Sequence, residues 1–215
     1  MKLAVARLVL GPLGNNVYVL TNEDTSHAVV IDPSFEVEKL MAYLARRAWK
    51  PTQIWLTHAH FDHTAGAAAM KRAYQPALPI AIHPASFAWA AAEGREVSFS
   101  FSAEPLPGMD IPLADRQVLS IDPGEATPVA EVRDVPGHNP GSVIFYVETL
   151  ALAFVGDAIF RGSIGRTDLP GGDYPRLLQS IREQIFSLPD ETILLPGHGP
   201  ESSVGFEKRN NPYLA

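Results

Sequence analysis

The chain has 215 residues, 46% hydrophobic and 19% charged, with a formal net charge of −7 and no cysteine. That length supports one well-buried domain over 1–215, and the mild acidity with no basic run argues against nucleic acid or an anionic membrane surface as a partner. The missing cysteines remove disulfides, thiolate ligands and a cysteine nucleophile, so any metal site must be built from histidine and carboxylate. The N-terminal run Met-Lys-Leu-Ala-Val-Ala-Arg has no apolar core before a cleavage site, and no apolar stretch approaches bilayer length. The expectation is a soluble, cytoplasmic protein; the oligomeric state is not written in the composition.

In chain order, residues 17–20 (Val-Tyr-Val-Leu) form a strand, and residues 28–31 (Ala-Val-Val-Ile) form a second that ends in Asp32. A helix follows over 37–47, with Leu40, Tyr43 and Leu44 on one face. Residues 54–56 (Ile-Trp-Leu) are a short buried strand, and the small-residue run 64–70 begins a tightly packed helix. Residues 76–131, rich in Pro, Gly and Ala, hold a strand at 80–82, a helix at 86–93 and a strand at 129–132, with loops at 99–101 and 105–109. Such an insert is suited to form one wall of a cleft. Strands at 142–147 and 151–155 follow, the second leading to Asp157. A helix over 176–186 and a strand at 192–195 then lead to His198. Both halves read strand, strand-Asp, helix, strand-His. This predicts an α/β fold, a four-layer αββα sandwich of two similar halves. Asp32, the counterpart of Asp157, reads as a strand-end carboxylate holding the turn before Pro33.

The run Thr57-His58-Ala59-His60-Phe61-Asp62-His63 carries three imidazoles and a carboxylate at a strand-to-helix turn. His58 and His60, two apart in extended chain, project to one side. Asp62 and His63 sit where the helix begins and aim at a second point. One ion cannot easily use all four, so two adjacent divalent ions are expected, zinc ahead of iron or manganese. Three further candidates lie at strand ends: His138 in Pro136-Gly137-His138-Asn139-Pro140-Gly141, Asp157 after Val155-Gly156, and His198 in Pro196-Gly197-His198-Gly199. An unpaired carboxylate closing a buried strand is costly, so Asp157 needs a cation or a hydrogen-bond partner and would serve as a bridge. His27 and His83 fall outside this pattern and read as surface or packing residues.

These motifs, with Asn15-Asn16-Val17-Tyr18 and Ile31-Asp32-Pro33, occur in an order that resembles the metallo-β-lactamase superfamily, specifically its glyoxalase II-like hydrolases of the short bacterial type. The resemblance implies the αββα sandwich. It assigns His58, His60 and His138 to a first metal and Asp62, His63 and His198 to a second, with Asp157 bridging. The best-known β-lactamase subclass uses a thiolate at its second site, which this chain lacks. Full-length glyoxalase II carries a helical C-terminal extension for glutathione, whereas only 17 residues follow His198 here, so no such domain is expected.

Two metals that share a water lower its pKa to near 7 and give a hydroxide that can attack a carbonyl. Asp62, beside the bridging position, is the candidate catalytic residue that orients the nucleophile and takes its proton. A thiolate leaves without acid help because thiol pKa values lie near 8.5, so a small-molecule thioester such as S-lactoylglutathione is the expected substrate. Arg161 and Arg166, in the segment after Asp157, are candidates to pair a substrate carboxylate through a bidentate fork. Against that stands a surface arginine bonded to loop carbonyls or to Asp168. Tyr146, Tyr174 and Phe160 read as packing aromatics rather than cleft residues. The rival reading is a mononuclear-iron persulfide dioxygenase; a lactonase is a further alternative.

Overall fold

The computed structural model of the protein describes residues 1–92, 104–124 and 127–214. Strands β1 (Leu3–Leu10), β2 (Asn15–Asn22) and β3 (His27–Ile31) form an antiparallel meander. Helix α1 (Val37–Arg46) crosses over to β4 (Lys50–Trp55), which lies parallel to β3. Short helices α2 (Phe61–Thr64) and α3 (Ala67–Ala73) lead to β5 (Ile80–Ile82), α4 (Pro84–Ala92) and β6 (Ile111–Pro112). These complete a six-stranded sheet in the order β1-β2-β3-β4-β5-β6.

The second sheet begins with β7 (Val118–Leu119), β8 (Ala130–Asp134), β9 (Val143–Val147) and β10 (Leu152–Gly156), all antiparallel neighbours. A small hairpin of β11 (Ile159–Phe160) and β12 (Ser163–Ile164) stands beside it. Helix α5 (Tyr174–Ser180), continued by a π turn over Ile181–Ile185, crosses over to β13 (Ile193–Pro196), parallel to β10. Strand β14 (Ser202–Ser203) and helix α6 (Val204–Asn210) finish the layer, and the sheet order is β14-β13-β10-β9-β8-β7. The expected repeat is therefore present: β2-β3-α1-β4 and β9-β10-α5-β13 share one antiparallel pair followed by one helical parallel crossover.

Four layers follow from period-two alternation inside runs that are apolar throughout. In β2, Val17 and Val19 face the helices α1 and α3, whereas Tyr18 and Leu20 face the other sheet. In β9, Val143, Phe145 and Val147 face inward, and Ile144 and Tyr146 face α5. Trp55 and Phe145 meet across the sheets with ring centroids 5.2 Å apart. The sequence-predicted sandwich is what forms.

Two expectations change. The described residues of the segment 76–131 form no separate insert: β5 and β6 extend the first sheet, while β7 and β8 extend the second. Part of it still reaches the ligand turn, since the α4 residue Trp89 packs edge-on to His60 at 5.1 Å. The loop expected at 99–101 lies outside the described residues, as does Glu93 at the end of the expected helix 86–93. The helix expected over 64–70 is divided at Gly66, where a side chain would strike the carbonyls of Ser34 and Pro33. That close approach seats α3 against the turn after Asp32. Among the described residues no helix is long and apolar enough to cross a membrane.

Candidate metal centre

The turn after β4 delivers its ligands as its spacing predicts. His60 caps α2 in extended conformation, and Asp62 and His63 follow in the first turn. The rings of His58 and His60 are 4.8 Å apart, and the β8–β9 loop brings His138 to 4.8 Å from His58 and 4.4 Å from His60. His58, His60 and His138 form one buried trio, and Asp62, His63 and His198 form a second beside it. Asp157 lies between them. Its Oδ1 is 3.3 Å from His63 Nε2, and its Oδ2 is 3.6 Å from His198 Nε2 and 3.8 Å from His138 Nε2. All seven residues picked from the sequence converge.

Hydrogen bonds behind the rings fix the tautomers. His63 Nδ1 donates to Asp32 Oδ2 at 2.9 Å, His138 Nδ1 to the Arg166 carbonyl at 2.8 Å, and His198 Nδ1 to the Leu13 carbonyl at 3.2 Å. Thr57 gives its hydroxyl proton to Asp32 Oδ2 at 2.6 Å, which leaves its oxygen to accept from His58 Nδ1 at 3.0 Å. With Nδ1 carrying the proton, each of these Nε2 atoms presents a lone pair. His58 and His138 Nε2 stand 3.3 Å apart, as do His63 and His198 Nε2, while His198 Nε2 is 3.2 Å from Asp62 Oδ2. Ligands about 2.0–2.1 Å from a tetrahedral ion stand about 3.3–3.4 Å from one another. Lone pairs facing one another at that spacing fit a divalent cation and suit little else. The donor set therefore fits two divalent ions.

The electrostatics divide the trios. Burial pushes His58 well below its ordinary value, reinforced by the neighbouring imidazoles; burial likewise lowers His138 and takes His60 down to about 3. These three imidazoles are neutral, as metal ligands need to be. Burial also acts to lower His63, but Asp157 and Asp62 outweigh it and hold the ring well above its ordinary value. His198 is raised in the same way, by its contacts with Asp62 and Asp157. Burial acts to raise Asp62 and Asp157, yet His63 and its neighbours hold both carboxyls low, Asp157 at about 2. At the second trio a metal therefore competes with protons for His63 and His198.

The model of the metallo-β-lactamase superfamily matches residues 10–198. The chain belongs to that superfamily. It is 36% identical over 211 residues to the probable metallo-hydrolase YqgX of Bacillus subtilis, covering 97% of this chain and 96% of that protein. It is 33% identical over 203 residues to hydroxyacylglutathione hydrolase GloC of Haemophilus influenzae, with 89% of each covered. Among solved structures, BLEG-1 B3 metallo-β-lactamase superposes with a TM-score of 0.89 at 37% identity, covering 99% of this chain and all of that one. TTHA1623 in a di-iron-bound form superposes at 0.86 with 37% identity, covering 97% of this chain and 100% of that one. The protein is a metallo-hydrolase of the metallo-β-lactamase superfamily.

Within this superfamily member the two arginines are engaged elsewhere. The Arg161 guanidinium lies 4.7 Å over the Phe206 ring and donates to the Glu201 carbonyl, lining a surface hollow of about 220 Å³ with Ile193, Ser202 and Ser203. Arg166 forks onto Asp168 at 2.7 and 2.9 Å. Its backbone, rather than its charge, serves the centre, through the carbonyl that holds His138. Phe160, read as packing, has its ring 6.3 Å from that of His198, at the centre's edge.

Asp32 does more than hold the turn before Pro33. It is buried, and its two oxygens take the Thr57 amide (2.8 Å), the Thr57 hydroxyl and His63 Nδ1. One carboxylate thus orients a ligand in each trio. The repeat signal that paired Asp32 with Asp157 could have found it. His27 and His83 do keep structural roles. His27 Nδ1 sits 2.7 Å from Asp122, and His83 Nδ1 accepts the Ala85 amide at the start of α4.

Proposed function

We propose that the protein is a binuclear thioesterase that hydrolyses a small 2-hydroxyacyl thioester of the S-lactoylglutathione type, with zinc as the first candidate metal and iron as the second. The observation that carries this reading is Asp157 set between two donor trios. The likeness to a relative named hydroxyacylglutathione hydrolase supports the substrate class, and the di-iron form of TTHA1623 supports iron as the second candidate.

The two trios with Asp157 would hold two divalent ions, which would supply a water of lowered pKa and a Lewis acid for the acyl carbonyl. Asp62 then orients the attacking water and receives its proton, its carboxylate being fixed by the 2.8 Å bond from Asn15. Asp32 keeps the His63 ring in the tautomer whose Nε2 faces inward, and Thr57 does the same for His58. The departing thiolate needs no acid residue, because thiols ionise near pH 8.5. The partner is accordingly a small molecule rather than a nucleic acid or a membrane.

A second reading, β-lactam ring opening, is favoured by the 37% likeness to BLEG-1. Its substrate is an amide, whose nitrogen leaves less readily than a thiolate. The deciding experiment measures metal per chain on protein purified without added metal. The same sample is then assayed for thiol release from S-lactoylglutathione, cephalosporin ring opening, and O₂ uptake with glutathione persulfide. The expected result is two metals per chain with thiol release, and Asp62→Ala should abolish release and lower the metal content towards one. Ring opening without thiol release would install the second reading. One iron with O₂ uptake and no thiol release would overturn both.

A further inference from the structure

The first trio is complete on its own terms: two histidines share the turn after β4, and His138 is held from behind by the Arg166 carbonyl. The second trio differs in containing a carboxylate, Asp62, beside its two histidines. Asp62 and His63 come from the first half of the chain, while His198 sits in the Pro196–Gly199 turn of the second half. Strand β2 bonds this turn at several points. The Asn16 amide nitrogen donates to the Gly197 carbonyl at 2.7 Å, its side chain donates to the Pro196 and Gly199 carbonyls at 2.9 Å each, and the Tyr18 hydroxyl donates to Pro196 O at 2.8 Å. Asn15 forms an antiparallel bridge with His198 itself.

The Asn15 side chain has one further contact. It is 1% exposed, and its Nδ2 donates to Asp62 Oδ2 at 2.8 Å while standing 3.4 Å from His198 Nε2. Only this amide orientation works, since the flipped one would set a carbonyl oxygen against a carboxylate. Its Oδ1 is buried with no hydrogen-bond partner among the described residues. An apolar side chain would avoid that cost, so packing does not account for an asparagine here. What the asparagine contributes is the hydrogen bond to Asp62.

We propose that Asn15 is the positioning residue of the second metal position: it aims Asp62 Oδ2 at the point that His198, bridged to the same residue, also faces. The Asn16–Tyr18 clamp holds the turn that makes this alignment possible. Asn15 thereby couples the two halves of the sandwich at the place where the second ion would be held, and leaves the first position untouched. This assignment rests on the two-metal reading above.

The test is a competition titration of metal-free protein with Zn²⁺ against a chromophoric chelator, which resolves the two stepwise dissociation constants. In Asn15→Ala the weaker constant should rise about 10–100-fold, the usual effect of losing a residue that orients a ligand, while the tighter one stays at the wild-type value. Asn16→Ala should act on the same constant, since it loosens the turn carrying His198. If Asn15→Ala does not fold, Asn15→Ser, whose hydroxyl is too short to span to Asp62, is titrated instead with the same expected result. Both constants rising together in the Asn15 variant would mean a general structural role and would overturn the assignment, as would no change in either. A wild type that binds one ion would overturn the two-metal reading and the assignment with it. A wild type that binds two, beside an unaltered variant, would overturn the assignment alone.

Discussion

Asp32 accepts three hydrogen bonds from two residues, and no neutral side chain of its size can do the same. Asparagine keeps one acceptor oxygen, and its NH₂ end would face either the Thr57 amide, at the Oδ1 position, or both the Thr57 hydroxyl and the His63 ring, at the Oδ2 position. Asp32→Asn is therefore expected to release His63 or His58 from the inward-facing tautomer. Metal affinity should fall about 10–100-fold, read by the same chelator competition, with a loss of hydrolysis to match. Retention of wild-type affinity would mean that the rings are held by packing alone. The residue also adopts the left-handed conformation, with φ of 51°, which costs a non-glycine residue energy and persists only where its surroundings over-determine it. Those three hydrogen bonds are what over-determine it.

At the scale of elements, the end of the sandwich holding the β2–β3 turn has its own carboxylate. Asp122, just beyond β7, accepts from Asn22 Nδ2 at 2.8 Å and Thr25 Oγ1 at 2.6 Å, with His27 Nδ1 at 2.7 Å, and so joins the β2–β3 turn to the second sheet. Burial acts to raise the Asp122 carboxyl, but the bonds from Thr25, Asn22 and His27 outweigh it and hold it below the usual carboxylate range. A folded value below the unfolded one contributes stability in full above the unfolded value of about 3.9, and that contribution is lost as pH falls towards the folded value. Asp122→Asn, which resembles the protonated acid, should unfold at lower urea than wild type at pH 7. The two midpoints should converge as the pH falls below about 4. A gap that stays constant down to pH 3 would show that the charge contributes nothing.

For the molecule as a whole, the inner apolar layer decides whether the two halves, and hence both trios, come together at all. Phe145 is fully buried on the second sheet and meets Trp55 on the first. Removing its ring in Phe145→Ala should cost about 3–5 kcal/mol, measured by denaturant unfolding of the metal-free protein. Because each trio takes ligands from both halves, loaded metal should restore part of that loss by binding only the folded state. A cost below about 1 kcal/mol would mean that the layer closes over the missing ring, as well-tolerated core exchanges do.

What could be read along the chain was whatever neighbouring residues decide together. The ligand turn after Ile54-Trp55-Leu56 was legible because two-residue spacing in extended chain sets His58 and His60 on one side by itself. The layered fold was legible because each half repeats one order of apolar strands and helix, and sheets that are apolar on both faces must be covered twice. The contact of Asn15 and the partners of Asp32 were not legible, while the arginines were left between a substrate fork and the loop-carbonyl and Asp168 bonds that they make. Asn15 meets Asp62 across 47 residues and His198 across 183, and Arg161 meets Glu201 across 40. Such contacts depend on how two sheets stack and which loops they bring to one edge, and local periodicity carries no record of that stacking. The sequence by itself determined which residues could bind metal. The division into two trios was already implied by the resemblance and the geometry agrees with it, whereas the tertiary structure alone decided what holds each ligand in aim, because hydrogen-bond direction is set only when the partner arrives.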